Sequence, residues 1–325
     1  MLPRRRAVRT CIGQARGFFG DAATASASLV RHVDAWRSTH AANKFTAKSV
    51  DLGWGRVYGG QTMAQAVAAC QHTAGPSRVM HHFSCHFLAG GSVSHDVDIE
   101  VSELASGRSF SFVHARALQA GKPILAMTAS LQTPEPGMVH QRALGGRTLD
   151  PTWRTPHELP SMSEHMAPLM DRLPNARMRA IYSRESPVEM RPVEFVASWE
   201  SAPRPPRRAL WFRVRGALPD ELSVHQRLLA YISDWGLLET ALYPHDAALW
   251  SKEVRTASLT HAMHFHQPFR CDEWLCHVME SPSSSGARGF ATGEIWSEGG
   301  VLVASTSQEG LIRRLAAPKA VGAQG

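Results

Sequence analysis

The sequence predicts an α+β fold built from two related halves, each a helix followed by an antiparallel sheet. A short apolar hairpin occurs twice, as ILAMTASLQ at residues 124–132 and as VLVASTSQEGL at residues 301–311. Each copy opens just after a glycine-containing turn, and an Arg-x-Phe motif precedes each copy, at Arg108 and at Arg288. Two copies are too few for a solenoid, so we interpret them as duplicated halves of one protein.

The first 28 residues are rich in Arg, Ala and Ser, and their first acidic residue is Asp21. This composition is typical of an organelle transit peptide, and an unstructured extension would have the same composition. We therefore expect residues 1–28 to form a flexible extension and the folded part to begin near Leu29. Residues 316–325 are expected to form a flexible tail.

The first half, residues 29–139, is predicted to hold a helix at 57–73. Small and apolar residues recur there with i, i+3, i+4 and i+7 spacing from Met63 to Cys70, which indicates a helix buried on nearly every side. Four strands follow, separated by turns that contain glycine, and we expect them to pair in chain order as a meander. These strands are predicted at 82–87, 97–104, 109–117 and 124–132.

The second half, residues 216–315, repeats the order, with a helix at 225–242 and four more strands. These strands are predicted at 258–266, 274–281, 289–296 and 301–308. Residues 140–215 separate the halves and hold ten of the twenty prolines together with thirteen arginines. We interpret them as a long connection, partly helical around 162–172, that carries the chain from one sheet to the next unit.

The composition excludes several classes of protein. With 43% hydrophobic and 19% charged residues, the chain is typical of globular rather than disordered proteins. No apolar run approaches the roughly 18–20 residues that span a bilayer, so we expect no membrane span. Five cysteines without paired or CxxC spacing indicate reduced thiols and a cytoplasmic location. The net charge of +7 suits a polyanionic small ligand as well as a nucleic acid, but the chain has no nucleic-acid-binding motif.

Two histidine-rich stretches could be mistaken for metal sites. One runs from His81 to His86 and also contains Cys85, and the other runs from His261 to His266. Neighbouring positions on a strand face opposite sides of the sheet, so these side chains should not converge on one ion. We therefore predict neither a metal nor another cofactor.

Three polar residues are predicted to reach the buried side of the second half. Asp234 lies beside an apolar stripe on the predicted helix, where a carboxylate is unfavourable unless it is hydrogen-bonded. Ser258 opens a strand on which strict alternation gives it the same face as Thr260, and Gln308 closes the last strand in phase with apolar residues. Each could be an ordinary structural polar group. A carboxylate, a hydroxyl and an amide from three elements could also hold and polarise a water.

Several blocks in the same order make the chain resemble the acyl-CoA thioesterase II family. They are VYGGQTMAQAVAA, SELASGRSFSFVHARALQAGKPILAMTASLQ, HQRLLAYISD, ASLTHAMHFHQPF and SSGARGFATGEIWSEGGVLVASTSQEGLIR. The resemblance covers both halves and omits the connection. It implies a double hotdog fold, in which each of two tandem units is a central helix wrapped by an antiparallel sheet. Association into a homo-oligomer is implied by this analogy alone.

The resemblance also implies a function and a catalytic trio. The trio falls on Asp234, Ser258 and Gln308, and the substrate is expected to be a fatty acyl-CoA that is hydrolysed by water. One departure is Thr260, where the family usually has an aspartate before the histidine of this strand. Backbone N–H groups at the start of a buried helix are expected to stabilise the oxyanion.

Two other functions stay open from the sequence. A hotdog hydratase or dehydratase would act on the same acyl-CoA substrates, but it needs an acid-base pair that the trio does not supply. A catalytically silent acyl-CoA-binding protein is the second alternative, and Thr260 is the only residue that favours it. No Gly-x-Ser-x-Gly motif is present, which argues against a serine hydrolase of the α/β type.

Overall fold

The computed structural model describes residues 22–39, 41–141 and 154–315. Across these residues the chain forms twelve strands that join into one antiparallel sheet. The strands are β1 (Trp36–Arg37), β2 (Lys44–Ala47), β3 (Val79–Phe87), β4 (Val97–Ser106), β5 (Phe110–Gln119), β6 (Lys122–Gln132), β7 (Val188–Pro192), β8 (Arg207–Val214), β9 (Val254–Phe265), β10 (Leu275–Ser285), β11 (Arg288–Ser297) and β12 (Leu302–Arg314).

The helices lie between these strands. They are α1 (Ala22–His32), α2 (Gly59–Ala74), α3 (Met162–Met166), α4 (Ala176–Tyr182) and α5 (Leu222–Ser233), with short 3₁₀ turns at Pro156–Glu158, Ala167–Arg172 and Leu238–Leu242. Among the residues described, no helix is long and apolar enough to cross a membrane.

The two predicted halves are confirmed as two units of one sheet. The order across the sheet is β1-β2-β4-β5-β6-β3-β9-β12-β11-β10-β8-β7, so the units meet where β3 pairs with β9. Within each unit the four core strands follow the same order, β4-β5-β6-β3 and then β10-β11-β12-β9 when the second unit is taken from its outer side. This repeated order is the double hotdog arrangement that the family resemblance implies.

The predicted meander is wrong for one strand of each unit. β3 pairs with β6 rather than with β4, and β9 pairs with β12 rather than with β10. The lengths of the links explain this difference. Two or three residues join β4 to β5 and β5 to β6, which forces neighbours to pair, whereas residues 88–96 and 266–274 are long enough to carry the chain across the unit.

The predicted connection also contributes to the sheet. Strands β7 and β8 lie within residues 140–215, and β8 pairs with β10 so that Trp211 lies opposite Cys276. The sequence shows no clear strand signal here, because β8 is buried on both faces and has no alternation, and β7 alternates over only five residues. The predicted domain boundaries stay predictions, and residues 142–153 lie outside the described part.

The helix predicted at 225–242 is two elements. Helix α5 ends at Ser233, and a 3₁₀ turn follows at Leu238–Leu242. Gly236 has φ +78°, a left-handed conformation that interrupts the helix and that glycine adopts without strain. Asp234 therefore sits at the C-terminal cap of α5 rather than on a continuous stripe.

The core lies between the sheet and the two central helices. Helix α2 is buried from Gly60 to Gln71, as its small residues predicted, and it packs against α5. A polar contact crosses this helix pair, where Gln71 Nε2 donates to Gln226 Oε1 at 3.0 Å. Helix α1 adds Leu29 to the same core, so structure begins earlier than the predicted boundary at residue 29. Residues 1–21 and 316–325 lie outside the described part, and the predictions for them are untested.

Candidate active site

The three predicted polar residues meet at one point between the central helices and the sheet. Gln308 Nε2 donates a hydrogen bond to Asp234 Oδ1 at 2.5 Å and another to Ser258 Oγ at 3.1 Å. Ser258 Oγ lies 3.4 Å from the same carboxylate oxygen, to which it donates. Gln308 is completely buried, and Asp234 is partly exposed. A carboxylate, a hydroxyl and an amide therefore converge as the sequence predicted.

The other oxygen of Asp234 faces the first turn of α2. Gly60 N–H donates to Asp234 Oδ2 at 2.9 Å, so the carboxylate of one unit joins the helix of the other. The positive end of the helix dipole favours a negative charge at this position. This approach needs glycine, since a Cβ on Gly60 would overlap the carbonyl oxygen of Tyr231 and the ring of Tyr58. The Gly-Gly pair at the start of α2 is thus part of the site.

A β-bulge turns Ser258 towards the trio. Gln308 lies opposite His261 and Gly310 lies opposite Ser258, so β9 has one residue more than β12 in this interval. The extra residue reverses the alternation, and Ser258 shares the inner face with His261 rather than the face of Thr260. The predicted common face of Ser258 and Thr260 is therefore wrong. Thr260 lies on the opposite side, where its Oγ1 accepts the backbone N–H of Glu309 at 3.1 Å.

Burial sets the protonation behaviour of Asp234. Desolvation raises the pKa of this carboxyl from 3.8 to about 6, although the hydrogen bonds from Gln308, Gly60 and Ser258 act in the opposite direction by stabilising the ionised form. A carboxylate with a pKa near neutrality is a better proton acceptor than one with the ordinary value. The environment of Asp234 therefore suits a general base.

Two buried histidines lie beside the trio. His261 Nε2 is 3.1 Å from Ser233 Oγ, and His277 Nε2 is 3.2 Å from Thr306 Oγ1. Burial lowers the pKa of each ring to about 3, so both rings are neutral at ordinary pH. From the sequence, His261 was expected neither to bind a metal nor to belong to this site. Its presence in the family motif was the only available signal.

The trio opens into a cavity of about 510 Å³. Its wall comes from both units and from the predicted connection, and it includes Asp234 and Ser258. The aromatic residues of the wall are Trp54, Tyr58, Phe87, Tyr182, Phe195, Trp199, Trp235 and Trp250. A cavity of this size and apolar character can enclose a small organic group. The contribution of the connection was not predicted, because its irregular composition gave no sign of which side chains face inward.

Charged residues also line the cavity. Arg56 and Arg177 are on its wall, and Arg177 Nε donates to the carbonyl oxygen of Gly53 at 2.6 Å. A separate pair is buried deeper, where Arg208 Nη1 donates to Glu239 Oε2 at 2.6 Å. The charges of this pair neutralise each other, so Arg56 and Arg177 are the groups placed to attract an anion.

The two histidine-rich stretches meet at the seam between the units. His82 lies opposite His264 across the seam between the units, and their rings stack with centroids 4.3 Å apart. His261 lies on the inner face instead, against Ser233. Among the described residues, no group of three or more His, Cys, Asp or Glu side chains is arranged to hold a metal ion.

Comparisons with known proteins agree with this geometry. A family model described as Acyl-CoA thioesterase N-terminal domain matches residues 50–132, and one described as Acyl-CoA thioesterase matches residues 178–311. The chain is 34% identical over 269 residues to acyl-CoA thioesterase 2 of Haemophilus influenzae, which covers 83% of this chain and 92% of that protein. It is also 34% identical over 267 residues to acyl-coenzyme A thioesterase 8 of Homo sapiens, covering 79% of this chain and 81% of that protein.

Solved structures show the same similarity. An acyl-CoA thioesterase II from Mycobacterium marinum superposes with a TM-score of 0.68 at 28% identity, over 88% of this chain and 98% of that chain. A hot dog fold protein from Alicyclobacillus acidocaldarius, at 17% identity and a TM-score of 0.67, shows the fold alone. The chain therefore belongs to the acyl-CoA thioesterase family, a family of thioester hydrolases with the double hotdog fold.

Proposed function

We propose that this chain hydrolyses fatty acyl-CoA to a free fatty acid and CoA, by attack of a water that Asp234, Ser258 and Gln308 hold. The observation that supports this proposal is the meeting of the three side chains, with Gln308 Nε2 2.5 Å from Asp234 Oδ1, beside a cavity lined by aromatic residues. A thioester carbonyl is reactive enough for an oriented water to attack without a covalent nucleophile.

The members of the trio have two tasks in this mechanism. Asp234 accepts one proton from the water while the water oxygen forms a bond to the carbonyl carbon. The carbon–sulfur bond then breaks, and the sulfur leaves as a thiolate that takes the proton from Asp234, which restores the carboxylate base. Gln308 and Ser258 orient the carboxylate through their hydrogen bonds, which keeps the water in line for attack.

The first turn of α2 stabilises negative charge in two ways. Gly60 N–H donates to Asp234 and keeps the base in place. At this helix end Gln61 N–H already donates to the carbonyl oxygen of Tyr58 at 3.1 Å, whereas Gly59 N–H, at the first helical position, has no acceptor within the helix. Gly59 N–H can therefore donate to the oxygen that becomes negative when the water attacks. Tyr58 and Phe87, on the cavity wall beside this turn, keep bulk water away from it.

The cavity accommodates the two parts of the substrate differently. Its aromatic wall suits an acyl chain, because apolar surface is removed from water on binding. Arg56 and Arg177 suit the phosphate groups of CoA, in agreement with the net charge of +7. The cytoplasmic location, the role in fatty acid metabolism and the homo-oligomer stay predictions.

The proposal is tested by measuring thiol release from acyl-CoA esters that range from acetyl to palmitoyl. Hydrolysis of medium or long chains is expected, with hydration of an enoyl-CoA measured in parallel. No thiol release from any ester by protein shown to be folded would refute the proposal. Hydration without hydrolysis would favour the hydratase alternative, and tight binding without either reaction would favour the silent binding protein.

A further inference from the structure

His261 and Gln308 are direct partners across the β9–β12 ladder. They lie opposite each other in the register, and both side chains are completely buried. Directly opposed residues of an antiparallel pair have Cβ atoms about 5 Å apart, so the two side chains are neighbours on the inner face. His261 is thus adjacent to the trio, but among the described residues it makes no hydrogen bond to Asp234.

The hydrogen bonds of Ser233 fix the tautomer of His261. Ser233 Oγ donates its single proton to the carbonyl oxygen of Ala230 at 3.0 Å. Since that proton is used, Oγ must accept at its 3.1 Å contact with His261, and Nε2 of the ring carries the proton. The neutral ring then has an unprotonated Nδ1, which is an acceptor.

The hydrogen bonds of Asp234 fix the orientation of the Gln308 amide. A carboxylate only accepts, so the Gln308 atom 2.5 Å from Asp234 must be the NH₂ group. The carbonyl oxygen Oε1 then points to the other side. Both Gln308 Oε1 and His261 Nδ1 are buried, and neither has a hydrogen-bond partner among the described residues.

Two buried acceptors on directly opposed residues cannot satisfy each other, but one water can donate a hydrogen to each. We propose that His261 is a positioning residue for Gln308, acting through a single buried water that donates to His261 Nδ1 and to Gln308 Oε1. This water would be separate from the water that attacks the thioester. The inference rests on the proposed function, since it assigns a role to a neighbour of the trio.

The consequence for catalysis is control of the amide orientation. If the Gln308 amide flipped, Oε1 would face the Asp234 carboxylate, and two acceptors would repel. A partner for Oε1 on the far side holds the amide in the orientation that donates to Asp234. The neighbouring buried histidine, His277, is occupied by Thr306 at 3.2 Å, and burial lowers its pKa to about 3, so it adds no charge to this region.

Two substitutions at His261 separate the functions of its two nitrogens. An asparagine can present an acceptor near the position of Nδ1 but does not reach Ser233, whereas a glutamine reaches Ser233 but leaves no acceptor near Nδ1. We expect His261→Asn to keep kcat within about threefold of the wild type. His261→Gln should lower kcat by about tenfold with little change in KM, because the attacking geometry is disturbed and substrate binding is not.

A pH profile gives a second measurement that a purely structural role would not change. The hydrogen bond from Gln308 lowers the pKa of Asp234, so a Gln308 side chain that is held less firmly should raise that pKa. The acid limb of the profile, which is the fall of kcat/KM at low pH, should then move to higher pH. We expect this shift in His261→Gln and not in His261→Asn. Equal losses in the two variants, the reverse order, or unshifted acid limbs would overturn the proposal.

A wild-type measurement keeps the test independent of whether the variants fold. X-ray data that show ordered waters should contain one water within hydrogen-bond distance of both His261 Nδ1 and Gln308 Oε1, and no such water would overturn the proposal. Asp234→Asn, assayed together with the two His261 variants, separates this inference from the proposed function. If Asp234→Asn is inactive and the His261 variants fail the expectations above, only the positioning role is wrong. If Asp234→Asn is fully active, the trio itself is wrong.

Discussion

The raised pKa of Asp234 should give thioester hydrolysis a measurable pH dependence. A general base must be ionised, and a carboxyl with a pKa of about 6 is about nine-tenths ionised at pH 7 and about one-tenth ionised at pH 5. We therefore expect kcat/KM to fall about tenfold between these two pH values. With its ordinary pKa of 3.8 the carboxyl would stay at least about nine-tenths ionised at both, and the rate would hardly change.

The assay follows thiol release from one acyl-CoA across this pH range for the wild type and two variants. Asp234→Asn keeps the shape of the side chain but removes the base, so we expect its rate at neutral pH to be lower by about 10²–10⁴-fold, with no acid limb. Asp246→Asn is the matched control, because Asp246 is exposed and lies outside the trio. The control should keep both the rate and the acid limb of the wild type.

Two results would refute this reasoning. Full activity in Asp234→Asn would mean that the trio has been assigned to the wrong residues. A wild-type profile that stays flat from about pH 5 to pH 7 would mean that the Asp234 carboxylate is not the group whose ionisation limits the reaction.

Three further outcomes are expected. Gln308→Ala should reduce kcat less than Asp234→Asn does. It should also move the acid limb of kcat/KM to higher pH, because it removes a hydrogen bond that lowers the pKa of Asp234. A pH profile with an unmoved acid limb would contradict this. Thr260→Asp, which restores the usual family residue, should leave kcat/KM within about twofold of the wild type, because Thr260 is on the face of β9 away from the trio. A gain of about tenfold would contradict that placement. Gly60→Ala should lower both the melting temperature and the activity because its Cβ overlaps neighbouring atoms, whereas Gly107→Ala, with its nearest other contact at 3.9 Å, should resemble the wild type in thermal unfolding.

The sequence predicted the elements better than it predicted their arrangement. The helix α2 and seven of the eight core strands were predicted to within four residues of their observed bounds, because turns separate clear apolar runs, whereas β12 continues six residues past its predicted end. The pairing of β3 with β6 could not be seen in the same pattern, since alternation shows which face is buried and not which strand is adjacent. Strand β8 was missed because burial on both faces removes alternation, and β7 was missed because it alternates over only five residues.

The sequence indicated which residues form the site, but their geometry became visible only in the folded structure. Asp234, Ser258 and Gln308 were named from their polar character on apolar elements and from the family resemblance, and the structure brings them together. The bulge that turns Ser258 inward changes the register by one residue, and one residue is enough to reverse every face in a strict alternation. The error about Thr260 follows directly from that bulge.

Direct attack by water is tested most directly by one turnover in water enriched in heavy oxygen, with enzyme in excess over acyl-CoA. If a water held by Asp234 attacks the carbonyl carbon, the fatty acid from the first turnover carries the heavy oxygen, and the intact protein gains neither label nor acyl group. An unlabelled fatty acid together with heavy oxygen in the Asp234 carboxylate, or an acyl adduct on Ser258, would contradict the account.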